Sequence, residues 1–288
     1  DEDGTAELFK YFGSPVYQYP ISRAIKEKHL TEYYYYPILV DLTDDEAKEY
    51  CEITQKISKV SQFDADGDFS ETLKNLLIRR SRLVGSARNK IPKLKEVIQG
   101  LDSRRFEKAL IYCGDGSTES DVSNESIRNI DSVTTMLSQM EYRVARFTCG
   151  ESRSRRDTII NQLKTDKIDA IVAIRCMDEG IDIPSAALGF ILASSTNSRQ
   201  IVQRRGRLLR KAEGKKFAHI YDFIIRPPVM TEYANDKQAH KTERSLFKRE
   251  LKRIIEFCDD AINGDQALDE LRDLRIKYNL IAYNGTEI

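Results

Sequence analysis

DAIVAIRCMDEGIDIPSAALGFILASSTNSRQIVQRRGRLLR, residues Asp169 to Arg210, is the stretch from which the fold can be read. An apolar run, Ala170 to Ile174, ends in a polar turn holding Asp178, Glu179, Gly180 and Asp182. A second run, Ala187 to Ala193, leads into a segment crowded with Arg199, Arg204, Arg205, Arg207 and Arg210. Short apolar runs bounded by turn residues read as buried strands, and the arginine segment, Gln200 to Leu209, reads as a helix. Strand, acidic-glycine turn, strand and arginine helix form an arrangement suited to a nucleotide phosphate chain.

The pattern continues outward on both sides. KALIYC (108–113), YRVARF (142–147) and FAHIYDFII (217–225) are further strand-like runs, with helical periodicity at 122–140 and 154–164 between them. Strands separated by helices of this length mean βαβ units. The expected fold is α/β, with a mostly parallel sheet covered by helices on both faces. Arg226-Pro227-Pro228 ends this part. A charged amphipathic helix is predicted from Met230 to about Ile262, and a shorter one from Gln266 to Tyr278.

Upstream, YYYYPILVDL (33–42) reads as a strand, its adjacent tyrosines pointing to both faces and expected to pack against a neighbouring domain. Thr43 with Glu46 forms a capping box that starts a helix running to about Val60. QFDADGDF resembles the start of a calcium loop but lacks Gly and Glu in register, so it reads as a plain turn. Ser70 to about Leu101 reads as helical, broken at Ile91-Pro92. Its stretch Thr72 to Lys95 holds eight basic residues and no acid. That run suits either a solvated helix face or contact with a phosphate backbone. The chain is thus expected to comprise a leading region (1–104), a sheet domain (105–228) and a helical extension (229–288).

Composition narrows the function classes. Lys+Arg and Asp+Glu balance at 46 each, so only local patches point to a polyanion. Five cysteines stand singly and three histidines lie far apart, which argues against a disulfide framework and a metal site. No apolar run approaches the ~20 residues needed to span a bilayer. A cytoplasmic location without membrane contact is expected.

In open α/β sheets ligands sit beyond the carboxyl ends of the strands. There Gly180 lets backbone approach a ligand, and Asp182 can accept from a ribose hydroxyl. Taken alone, that turn reads rather as a strand-to-loop Gly/Asp turn with no ligand. Arg207 and Arg210 lie three apart on one helix face, suited to the spread charge of a transferring phosphoryl group. Gly206 between the arginines costs roughly 1 kcal/mol of helix propensity, which suggests close approach to the backbone. No G-x-x-x-x-G-K-[ST] occurs, so the chain holds arginines able to act on a nucleotide without a loop to hold its phosphates. Asp178-Glu179 sits too far past its strand to serve as a magnesium pair.

On these motifs the segment 108–210 resembles the second RecA-like domain of superfamily 2 helicases. KALIYCGDG is similar to motif IV, AIRCMDEGIDIP to motif V, and QIVQRRGRLLR to motif VI. The Q-R-x-G-R-x-x-R form of motif VI (Gln203, Arg204, Gly206, Arg207, Arg210) resembles the XPB-like and restriction-translocase branch. The opening of the chain looks like the sequence that follows motif III in that branch, and residues 230–288 resemble the helical tail of such proteins only loosely.

The resemblance implies a RecA-like, P-loop NTPase helicase C-terminal fold with added helical segments at both ends. It implies the C-terminal part of an ATP-dependent DNA helicase or translocase, whose first RecA-like domain would hold ATP and Mg2+. Arg207 and Arg210 would act as arginine fingers, with Gly180, Asp182 and the coupling Gln203 near the nucleotide. Gly114, Thr148, Gly150 and Arg175 would track a nucleic-acid strand, expected to be part of duplex DNA. The isolated chain would be inactive as an ATPase. A stand-alone nucleic-acid-binding or regulatory module, or part of an RNA helicase, is the alternative expectation.

Overall fold

The computed structural model describes residues 2–13, 16–17, 19–60, 70–101, 106, 108–114, 124–148, 150–174, 186–193, 198–228 and 236–286. The chain opens with α1 (Glu2–Phe12) and α2 (Ile21–Lys26), then β1 (Tyr33–Val40). A helical trio follows: α3 (Asp44–Lys59), α4 (Glu71–Gly85) and α5 (Lys90–Gln99). The alternating part comprises β2 (Ala109–Tyr112), α6 (Asn124–Gln139), β3 (Val144–Phe147), α7 (Arg153–Lys164) and β4 (Ala170–Ala173). It continues through β5 (Leu188–Ile191), α8 (Ser198–Leu208) and β6 (Ala218–Ile225). The tail is α9 (Lys237–Cys258), α10 (Gly264–Asp269) and α11 (Arg272–Lys277).

The six strands form one sheet in the order β1-β6-β5-β2-β4-β3, every pairing parallel. β2, β4 and β5 are buried throughout, which is why their sequences are unbroken apolar runs rather than alternating ones. On one face Leu110, Tyr112, Ile171 and Ile220 pack against α7, α8 and α9 through Leu163, Leu208 and Leu251. On the other, Ile111, Val172 and Phe190 pack against α5 and α6 through Leu94, Ile98, Val133 and Leu137.

The tyrosine strand differs from expectation. β1 is an edge strand of this same sheet, in register with β6 from Tyr33↔Ala218 to Val40↔Ile225, so the sheet begins well before residue 105. Tyr33 and Tyr35 are fully buried towards α9; Tyr33 donates to the Phe257 carbonyl at 2.6 Å, and Tyr35 donates to Asp222 at 2.7 Å. Tyr34 and Tyr36 point the other way, stacking on His219 and Tyr221 with ring centroids 5.2 and 4.7 Å apart. The tyrosines therefore find partners in their own sheet and in α9, which already accounts for their clustering. The outer edge of β1 is met by Asn263, whose amide accepts from Tyr35 N and donates to Tyr35 O, both at 2.9 Å.

The break in the 70–101 helical stretch also falls elsewhere. α4 ends at Gly85 and α5 starts at Lys90, which places Pro92 in the first turn of α5. The N–H that proline lacks has no intrahelical partner at that position, so no break is required. The basic run on these helices is matched by carboxylates of α3 and of the run's own helices. Arg79 meets Glu49, Arg88 meets Asp45 and Glu46, Lys74 meets Glu71, and Lys93 meets Glu96. Arg88 holds the Asp45 carboxyl down at about 2. These contacts favour the structural reading of the run over phosphate contact. The Asp/Gly turn at 61–69 lies outside the described residues.

The tail helix starts at Lys237, capped by Asp236, whose carboxylate accepts from Gln238 N and Ala239 N. It is fixed to the sheet by a buried ion pair. Asp222 (0% exposed) accepts from Arg253 (5% exposed), which also meets Glu250 at 2.6 Å. The second tail helix is in fact two short ones, α10 and α11.

Candidate functional site at the arginine helix

α8 begins beyond the carboxyl end of β5 and runs back across the sheet face to the residues that precede β1. There Thr31 N donates to Leu209 O at 2.7 Å, and Leu30 bridges Arg210. Its seat is created by Gly189 on β5, where any Cβ would collide with the buried Leu208 side chain. Lys215 secures the far end, donating to Leu208 O at 2.6 Å and Arg210 O at 2.8 Å. Burial holds its ammonium pKa down at about 8.

The arginines of α8 divide by direction. Arg204 (3% exposed) turns to the carboxyl edge, donating to Ala193 O at 3.1 Å with its guanidinium over the Tyr112 ring. Arg205 faces the tail helix, donating to Glu256 O at 2.6 Å, meeting Asp260 at 3.3 Å and lying over Phe257. These two hold the helix to the sheet and to α9. Gln203, Gly206 and Arg207 share the remaining quadrant at helical spacing, with Arg207 buried at 7% exposed. Arg210 lies two residues past the helix end, in the bridge to Leu30, rather than on one helix face with Arg207. Among the described residues, a Cβ placed on Gly206 would meet nothing within 4 Å. Those residues therefore give no packing reason for a glycine here, in contrast to Gly189.

A second cation works on the same loop. Lys90 is 2% exposed and donates to Leu192 O, next to the Ala193 carbonyl that Arg204 holds. Consecutive carbonyls leading out of β5 towards α8 are thus bound by cations from α5 and α8. Burial pushes the Lys90 pKa down to about 8 and the neighbouring Cys113 thiol up to about 12. Sequence reading missed Lys90 because it counted as one more charge in the basic run. Its position between apolar Ala87, Ile91 and Leu94 was the available signal.

Of the predicted nucleic-acid residues, Gly114, Thr148 and Gly150 lie at the carboxyl edge. Gly114 follows β2 with φ +56°, the left-handed region that favours glycine. Thr148 follows β3 in a closed turn. Its hydroxyl donates to Glu151 at 2.8 Å and accepts from Gly150 N at 3.3 Å, its N–H donates to Glu151, and its carbonyl accepts from Arg156 at 3.2 Å. The backbone N–H groups of Thr148 and Gly150 are thus engaged inside the turn, with Arg153 and Arg155 exposed beside it at the start of α7. Gly114, Thr148 and Gly150 share the carboxyl edge, whereas the end of α8 with Arg207 and Arg210 lies near the amino ends of β1 and β5. Arg175, Asp178, Glu179, Gly180 and Asp182 lie outside the described residues.

An all-parallel sheet flanked by helices, with an arginine helix after its fifth strand, has the fold of RecA-like helicase C-terminal domains. Residues 89–212 match the model of the helicase conserved C-terminal domain family. The chain is 24% identical over 238 residues to the DNA 3'-5' translocase XPB2 of Sulfurisphaera tokodaii, covering 74% of this chain and 48% of that protein. It is 31% identical over 128 residues to UvrABC system protein B of Burkholderia mallei, covering 41% of this chain and 18% of that protein. Among solved structures, the C-terminal part of the Fun30 ATPase domain aligns with TM-score 0.51 at 15% identity, covering 76% of this chain and 99% of that one. The chain carries a superfamily 2 helicase C-terminal domain. It spans about half the length of the translocase it matches, and less of the UvrB relative.

Proposed function

We propose that the chain is the C-terminal part of an ATP-dependent DNA translocase or helicase and supplies the trans-acting half of its ATPase site. The observation that carries this reading is that no described residue lies over Gly206, on the helix quadrant that also holds Gln203 and Arg207, with Arg210 just past the helix end. A mid-helix glycine costs roughly 1 kcal/mol against alanine. With no neighbour among the described residues requiring it, a group approaching from outside accounts for it, and a phosphate chain fits the adjoining guanidiniums.

ATP, held with Mg2+ by a first RecA-like domain, supplies the phosphoanhydride. In this reading Arg207 and Arg210 stabilise charge as it spreads over the transferring phosphoryl oxygens, and Gln203 couples that event to the nucleic-acid side. Gly180 and Asp182 approach the nucleotide from the motif V turn. Gly114, Thr148, Gly150 and Arg175 lie along a strand of duplex DNA. The name of the XPB2 relative supports DNA and translocation.

In the full-length protein, Arg207→Ala and Arg210→Ala should each lower DNA-stimulated turnover by on the order of 10³ while leaving nucleotide affinity nearly intact. Gly206→Ala separates ligand approach from folding. It should raise helix stability by up to ~1 kcal/mol and still depress turnover. Undiminished turnover in both arginine variants would remove the reading. The isolated chain should hydrolyse no ATP, and duplex RNA stimulating better than duplex DNA would redirect it to RNA.

A further inference from the structure

α9 carries a charge pattern that the ATPase reading leaves unused. Its 22 residues include three carboxylates, Glu243, Glu250 and Glu256. Glu243 is 1% exposed, and Glu250 turns inward to Arg253. On the outward side Lys237, Lys241 and Arg249 are exposed and Lys248 and Lys252 half-buried, with Glu256 one turn beyond Lys252. Lys248 also lies over the Tyr283 ring, at 4.6 Å from its centroid. Among the described residues none of these five cations forms a salt bridge.

That contrasts with α4, α5 and the turn between them, where Lys74, Arg79, Arg88 and Lys93 each face a carboxylate. Like charges at i,i+4, as in Lys237/Lys241 and Lys248/Lys252, cost a few tenths of a kcal/mol each. Two cations in the first two turns also oppose the helix dipole. A linear polyanion would relieve both.

Lys237 to Lys252 extends about 22 Å along a straight helix, against a duplex presenting one phosphate per ~1.7 Å of axis. A membrane surface fits less well. An interfacial helix needs apolar side chains beside its cations, and the apolar side of α9 is buried in the core through Phe247, Leu251, Ile254 and Ile255.

We propose that the outward face of α9, formed by Lys237, Lys241, Lys248, Arg249 and Lys252, is a phosphate-contact ridge for duplex DNA, additional to the loops at the carboxyl edge of the sheet. This rests on the reading of the chain as part of a DNA-acting enzyme. The ridge adds affinity without reading sequence.

The test is the salt dependence of binding by the full-length protein to a 30-bp duplex without nucleotide. The triple variant Lys241→Gln/Arg249→Gln/Lys252→Gln, which leaves Lys248 on Tyr283, should reduce the slope of log K against log salt by about 2 to 3. The reduction should be equal on two unrelated sequences, with a melting temperature no lower than the wild type's. Lys241→Arg/Arg249→Lys/Lys252→Arg should restore the slope. A wild-type slope in the triple variant overturns the proposal. So does an equal drop in a control carrying Lys95→Gln/Lys164→Gln/Lys167→Gln, or binding to phosphatidylserine vesicles without duplex affinity. The two readings separate cleanly: if the arginine variants of α8 lose turnover and the slope is unmoved, only the ridge falls. If those variants keep turnover and the slope drops, the ridge stands and the ATPase reading falls.

Discussion

Gly189 on β5 and Leu208 on α8 meet without room for a methyl group. A Cβ on Gly189 would lie 3.0 Å from Leu208 Cδ2 and 3.2 Å from its Cγ, and closer still to Cδ1. Leu208 is fully buried, so its side chain has nowhere to withdraw. Gly189→Ala should therefore lift α8 from the sheet, costing about 1–3 kcal/mol as an overpacked core site. A fall in urea midpoint at constant slope would show it, and an unaltered midpoint would mean that Leu208 finds another rotamer.

The Asp222–Arg253 pair gives a second prediction. Asp222 accepts from both Tyr35 and Arg253 with no exposure of its own, so removing it leaves the buried guanidinium with Glu250 as its one remaining ion-pair partner among the described residues. Asp222→Ala alone should cost about 3–5 kcal/mol, and Asp222→Ala/Arg253→Met should recover much of that loss. Equilibrium unfolding of the two variants decides it. A double variant no more stable than the single one would mean that the guanidinium is not the source of the cost.

Stability should depend on pH in a defined direction. Lys90 and Lys215 have folded pKa values near 8 against an ordinary 10.5. Above pH 8 the folded chain releases these protons while the unfolded chain keeps them, so stability rises with pH. Cys113 and Cys258 are pushed by burial to about 12 from 9.0; above pH 9 the unfolded thiols ionise first, and this contribution falls. Buried Tyr33, Tyr35, Tyr50 and Tyr278, all raised chiefly by burial, extend the decline above pH 10. Unfolding free energy should climb from pH 8 to 9, level off, and drop beyond 10. Lys90→Met should flatten the climb, and a flat wild-type profile across pH 8–9 would contradict the assignment.

The alternating core was legible because fully buried parallel strands leave unbroken apolar runs such as ALIY and AIVA, and the arginine helix because its spacing is dense. The membership of β1 was not, since parallel pairing with β6 joins residues some 185 apart, and nothing local in YYYYPILV names that partner. Pro92 misled for the opposite reason. Its effect depends on distance from a helix start, which Asn89 does not announce with a side-chain cap. The direction of each arginine was equally hidden: Arg204 and Arg205 are structural because of Ala193, Glu256 and Asp260, which only the fold brings near.

The amide of Asn263 has a consequence for the protein's solution behaviour. A strand at the border of a sheet offers unpaired N–H and C=O groups to any other strand it meets. At Tyr35 both groups are already taken by one side chain, Tyr33 O accepts from Ile262 N, and Pro37 has no N–H to give. Between Tyr33 and Pro37 the border is therefore largely capped by the chain itself, which leaves another copy little to pair with along that half of β1.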